Sequence, residues 1–272
     1  MPWFTEGTCF LPVLLVISSS STFIVDYVIA LVRRDVDAIF PYISDTGTKP
    51  PESCVFGLMT SITAFAGLAT MYARYKFLER LNEKIGQVPP TLNRSALAVG
   101  LIACFGMCMV ATFQETVVAV VHDVGASTFF TCGMLYIVLQ TIISFKAYPY
   151  ATSKTVCWTR TILAVVAFVA VFPTIICWAF VKKNKLHWDP QDQVPCFHLY
   201  SIVSCQRPNM KLICFIVSCA WFLQDYVLHL ISAVCEWTVA FSFVFFFLTY
   251  IREFKLFTLS VKAELQEHSQ EY

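Results

Sequence analysis

The sequence predicts an all-α membrane protein, a single bundle of six transmembrane helices, and three observations carry that reading. Hydrophobic residues make up 57% of the 272-residue chain and charged residues only 14%, against roughly 25% charged in soluble domains. Six apolar stretches each reach the ~20 residues that a spanning helix needs. Their connections are mostly short and polar, which sets neighbouring helices antiparallel.

The first stretch, Phe10–Val32, lacks a basic region before it and is long for a leader segment, so a retained first span is expected. The second, Cys54–Ala73, carries Ser53, Gly57 and Ser61 at a spacing of four. The third, Ser95–Glu115, repeats that pattern through Ala96, Gly100, Cys104, Cys108 and Thr112. Small residues on one face let helix backbones approach in a membrane, so both stripes read as packing surfaces. His122–Phe145 and Cys157–Val181 follow, and Tyr226–Ile251 closes a bundle over residues 1–251. The tail, 252–272, has Glu264, Glu267 and Glu271 among few apolar residues and is expected to be disordered. Before the last span, Leu212–Leu223 is an apolar dozen too short to span: a re-entrant or interfacial piece, or the start of a displaced or seventh span that would turn the tail outward.

Lysine and arginine counts set the orientation. One side collects Arg74, Lys76, Arg80, Lys84, Arg94, Lys146, Lys154, Arg160, Arg252, Lys255 and Lys262, eleven in all. The other has six: Arg33, Arg34, Lys49, Lys182, Lys183 and Lys185. Both termini are therefore expected in the cytoplasm.

A net charge of +1 supplies no basic patch, which excludes nucleic acid as a partner; the bilayer is the expected surrounding. Most of the twelve cysteines, Cys104 and Cys108 among them, lie inside apolar runs, where a thiol behaves as a small hydrophobe. Only Cys9, Cys54, Cys196 and Cys205 are expected near water. No C-x-x-C pair exists, so neither metal nor cofactor is expected.

Ionisable side chains within spans are costly and mark candidate sites. They are Asp26, Glu115, His122, Asp123, His229 and Glu236, and the expected topology puts all six in the non-cytoplasmic half. Two readings stand: a proton-responsive luminal site, or groups that pair with one another or reach interfacial water. The first loop, with Pro41, Tyr42, Ser44, Asp45, Thr46, Gly47, Pro51 and Glu52, contains an Asp-Thr-Gly triplet. Aspartic-protease chemistry needs two such carboxylates sharing a site, so the triplet reads as a rigid turn, with Gly47 supplying positive φ. Tyr75 and Leu78 have the tyrosine-x-x-bulky spacing of an endosomal sorting signal. Asn93-Arg94-Ser95 is a glycosylation triplet on the expected cytoplasmic side and should stay unmodified.

The run Pro41–Thr48 with Pro51-Glu52 resembles the signature first loop of the damage-regulated autophagy modulator (DRAM) family, within the wider Frag1/DRAM group of six-span proteins. Supporting matches are Met71–Lys76, Ala111–Glu115, Cys235–Phe241 and Phe247–Ile251. The resemblance implies a lysosomal (late endosomal) multi-pass protein that promotes autophagy and links it to apoptosis after stress such as DNA damage. Its partners would be autophagy or lysosomal membrane proteins. It supplies no catalytic residues, so a non-catalytic regulator is expected. A proton- or ion-coupled transporter and a GPI-type lipid-remodelling factor are the alternatives.

One segment departs from the family pattern. Gln193 and Asp225 look like two sides of a junction that Val194–Gln224, 31 residues, interrupts in frame. Its first codon begins GT, its last residue admits CAG, and the residues before it admit pyrimidine-rich codons. A retained intron or a gene-model artefact is the resulting hypothesis, which a transcript lacking those codons supports and end codons incompatible with GT and AG would refute.

Overall fold

The computed structural model describes residues 7–36, 38–183 and 208–255. Six long helices dominate: α1 Phe10–Arg33, α2 Glu52–Ile85, α3 Pro90–Thr112, α4 Ala119–Ala147, α5 Lys154–Lys183 and α6 Pro208–Leu248, followed by the short α7 Ile251–Phe254. All six have apolar windows long enough to cross a membrane. Large side chains such as Ile24, Phe65, Phe105, Ile162 and Val169 point outward, as lipid-facing residues do.

Helix ends differ from the expected spans for local reasons. Whereas the apolar run ends at Ala73, α2 continues to Ile85 on ion pairs at i,i+3, Lys76–Glu79 at 2.8 Å and Arg80–Glu83 at 3.2 Å. Gly86 stops it at φ +64°, in the left-handed region that glycine adopts without strain, and donates its N–H to Asn82 O. Pro90 occupies the first turn of α3, where a missing N–H costs nothing. The apolar dozen Leu212–Leu223 is helical and continuous with the last span; at 1.5 Å per residue the 41-residue α6 is about 60 Å long. Residues 194–207, Cys196 and Cys205, and the acidic tail lie outside the described residues.

Each helix packs on its neighbours in sequence, and α6 closes the ring by contacting both α5 and α1. Several hydroxyls inside the spans are satisfied locally: Ser19 donates to Leu15 O at 2.8 Å, Thr70 to Ala66 O at 2.7 Å and Ser144 to Gln140 O at 2.7 Å. The small-residue stripe of α3 is only partly a contact face. Gly100 sits against Met71 and Tyr136, whereas Thr112 is exposed. The tightest approach to another helix's backbone among the described glycines lies off the stripe, where a Cβ on Gly106 would stand 2.7 Å from Gly125 O of α4. Cys9, expected near water, is buried in the main core.

Candidate functional site

At one end of the bundle, here the loop end, the chain between α1 and α2 folds inward as a single 3₁₀ turn, Asp45–Gly47. Asp45 Oδ2 accepts the Tyr42 N–H at 3.3 Å, Thr46 Oγ1 donates to Ile43 O at 2.7 Å, and Gly47 N–H donates to Ser44 O at 3.0 Å. The triplet is thus a turn. Gly47, however, does not have positive φ; it is needed because a Cβ there would lie 2.4 Å from the Phe56 ring. No local pattern around Gly47 signals this close approach.

Two consecutive residues of α6 hold the turn. Glu236 Oε2 accepts the Ile43 N–H at 3.3 Å, and Trp237 Nε1 donates to Pro41 O at 2.8 Å. Trp237 is wedged in turn by the edges of Phe23 and Tyr27 on α1. His229, two turns earlier on α6, meets the Tyr42 ring at 4.6 Å.

Beneath the turn lie two chambers. The smaller, about 50 Å³, is lined by Tyr42, Glu115, Asp123 and Trp178, among others. The larger, about 130 Å³, is apolar and runs down to Met71, Tyr136 and Phe247. Ser44, His122, Ala126, Phe130 and Glu236 line both. His122 Nδ1 is 2.8 Å from Phe113 O, a contact that makes Nδ1 the protonated nitrogen. Glu115 Oε2 is buried without a hydrogen-bond partner among the described residues. Burial and the neighbouring Glu115 push the Asp45 carboxyl up to about 7.

The structure therefore brings Glu115, His122, Asp123, His229 and Glu236 to one place, around Tyr42. Asp26 is not with them. It is fully buried on α1, lines neither chamber, and feels the charge of Glu52 at the start of α2. Arg33 Nε stands 3.5 Å from Glu52, and Asp35 bridges Arg33 and Lys49 at 3.1 and 2.9 Å. Among the described residues neither Asp26 nor Glu52 accepts a hydrogen bond. Pro51 forms the N-cap position of α2.

The opposite, tail end holds Arg74 and Arg160, both of them in the cytoplasmic-side charge count. Arg74 and Arg160 are both fully buried and share Glu253. Arg160 Nη2 lies 2.8 Å from Glu253 Oε1, Nη1 donates to Ser144 Oγ at 2.7 Å, and Nε donates to Thr249 Oγ1 at 2.8 Å. Both guanidiniums lie over the Tyr250 ring, 4.9 Å (Arg74) and 4.7 Å (Arg160) from its centroid. Two buried cations thus share one buried anion, tying α2, α4, α5 and the corner between α6 and α7 together. The placement of Arg74 and Arg160 at the ends of apolar runs was the available signal.

The remaining sequence features sit close by. Tyr75 and Leu78 are on the helical extension of α2. Tyr75 donates to Glu79 at 2.9 Å, and Leu78 is fully buried against Val88 and Ile143, so the pair is not in an extended, accessible strand. Asn93 is buried and donates Nδ2 to Tyr75 O at 3.0 Å, which withdraws it from glycosylation.

Comparison with known proteins follows the same residues. Residues 7–257 match the family described as the Frag1/DRAM/Sfk1/Cwh43P N-terminal domain. The chain is 42% identical to DNA damage-regulated autophagy modulator protein 1 of Mus musculus, covering 97% of this chain and 98% of that protein. It is 42% identical to the Homo sapiens protein of the same name, over 96% and 97%. To DNA damage-regulated autophagy modulator protein 2 of Mus musculus it is 38% identical, over 97% and 90%. No solved structure matches.

Proposed function

Because this chain belongs to the Frag1/DRAM family, we propose that it is a multi-pass protein of the lysosomal (late endosomal) membrane that promotes autophagy as a non-catalytic regulator and links it to apoptosis after stress such as DNA damage. The observation that carries the proposal is near full-length likeness to proteins named as DNA damage-regulated autophagy modulators. The alignment takes in both the signature loop and the α6 segment that grips it. In this reading the protein acts through autophagy or lysosomal membrane partners, with both termini cytoplasmic and the loop end facing the lumen. Removing the buried Arg74 and Arg160 from the charge count leaves nine against six, so the orientation keeps its sign.

The Arg74–Glu253–Arg160 group bears on the transporter alternative. A cation crossing the bundle lengthwise would meet two buried guanidiniums sharing one carboxylate, an electrostatic barrier in a low-dielectric interior.

The test is genetic. Cells lacking the protein are compared with cells re-expressing it, scoring autophagic turnover with lysosomal degradation blocked and unblocked, and the protein is located against lysosomal markers. Reduced flux restored by re-expression, with lysosomal residence, is the expected result. Unchanged flux, or residence in another membrane, contradicts the proposal.

A further inference from the structure

The two chambers under the loop differ in chemistry and meet at shared residues. The larger is a long apolar slot: from Glu236 to Phe247 on α6 it covers about 16 Å at 1.5 Å per residue. Protein interiors are close-packed and rarely keep voids much larger than a water molecule. An apolar cavity of about 150 Å³ stays dry and takes up an apolar ligand, and the slot, at about 130 Å³, is of that order. The smaller chamber is lined by three carboxylates, Glu115, Asp123 and Glu236. Among the described residues no Lys or Arg lines either chamber. Glu236 is only 7% exposed, and Glu115 Oε2 is buried with no hydrogen-bond partner among those residues. Buried carboxylates require a donor or a cation, and among the described residues no Lys or Arg supplies the cation here.

We propose that the bundle binds a single-chain amphiphile with a primary-amine head, its tail in the apolar slot and its ammonium among Glu236 and Glu115. An ammonium supplies three donors and one positive charge: a donor for Glu115 Oε2 and a counter-charge for both carboxylates. At about 130 Å³ the slot is sized for one hydrocarbon chain and not a pair. Ala126, at the junction of the chambers, marks where head gives way to tail. Glu236 also holds the Ile43 N–H, so an occupant of this site touches the residue that grips the loop. This goes beyond the regulatory reading and stands or falls separately from it.

The experiment uses the full chain in phosphatidylcholine nanodiscs and dodecylamine carrying a diazirine. Its N-acetyl derivative and the corresponding fatty acid, both with the same photoreactive tail, are the controls. Expected is saturable labelling by the amine, mapping to residues that line the slot, with both controls labelling about tenfold less, as loss of a charge-assisted contact implies. Glu236→Gln should lower amine labelling by a similar factor, and Ala126→Phe should block it by filling the junction. Should Glu236→Gln fail to give a monodisperse protein, Glu115→Gln, which leaves the loop contact intact, carries the same expectation. Equal labelling by amine and N-acetyl tails shows an apolar slot without the ammonium site and overturns the proposal, as does labelling that unlabelled dodecylamine does not compete. Loss of autophagic flux or its persistence in knockout cells leaves these labelling outcomes unaffected.

Discussion

Ile43 donates its backbone N–H to Glu236 across 193 residues of chain, so a carboxylate in the last membrane helix fixes a loop between the first two. Trp237 adds a second bond, to Pro41, from the next position. The two contacts close the ring of helices at the loop end, where α6 meets α1. They also fix the floor of the turn over both chambers.

Removing only the indole donor isolates that second bond. Trp237→Phe keeps an aromatic ring between Phe23 and Tyr27 but leaves Pro41 O without its partner. The expected loss is about 1–2 kcal/mol, read as a lower unfolding temperature in detergent and faster proteolysis of the first loop.

Asp45 gives the loop a pH dependence whose sign follows from its environment. Its carboxyl, ordinarily near 3.8, is pushed up to about 7 by burial and by Glu115, with the Tyr42 N–H opposing and Glu236 facing it from α6. Between those values the docked turn holds a proton that the unfolded loop releases. Docking is therefore strongest below about pH 4 and weakens as pH rises through about 7. Proteolysis of the first loop should accelerate from about pH 5 to about pH 8, and Asp45→Asn should flatten that profile. Acceleration toward acid would contradict the assignment.

At the tail end the partners are unequal. Glu253→Gln leaves two buried guanidiniums without their shared anion and is expected to cost about 3–5 kcal/mol, because an uncompensated buried charge remains. Arg74→Gln leaves Glu253 still paired with Arg160 and should cost less. Thermal unfolding of the two variants in detergent checks the order; equal losses would show that the carboxylate is not the centre of the group.

Gly47→Ala places a methyl into the Phe56 ring. Overpacking of this kind costs about 1–3 kcal/mol, and the same thermal scan should show it. An unchanged unfolding temperature would mean that the ring moves aside freely.

Lipid makes the six spans legible in the sequence, because each must present about 20 apolar residues and leave no backbone group unpaired. Helix ends were less legible: α2 outruns its apolar stretch by three turns on charged residues that satisfy one another. The grouping around Tyr42 follows partly from the side of the membrane on which Glu115, His122 and Glu236 fall. The separation of Asp26 depends on how α1 is rotated in the bundle, which its own residues do not specify. Arg74 looked like a solvent charge because its partner, Glu253, is 179 residues away. No local pattern reports a contact of that range.

The grip of Glu236 on the first loop is tested most directly by hydrogen exchange at the Ile43 amide in the intact protein. The wild-type amide should be protected, and Glu236→Leu, which removes the acceptor, should speed its exchange about two- to tenfold, as loss of a hydrogen bond worth about 0.5–1.5 kcal/mol implies. Equal exchange in the two proteins, with both folded, would contradict the account.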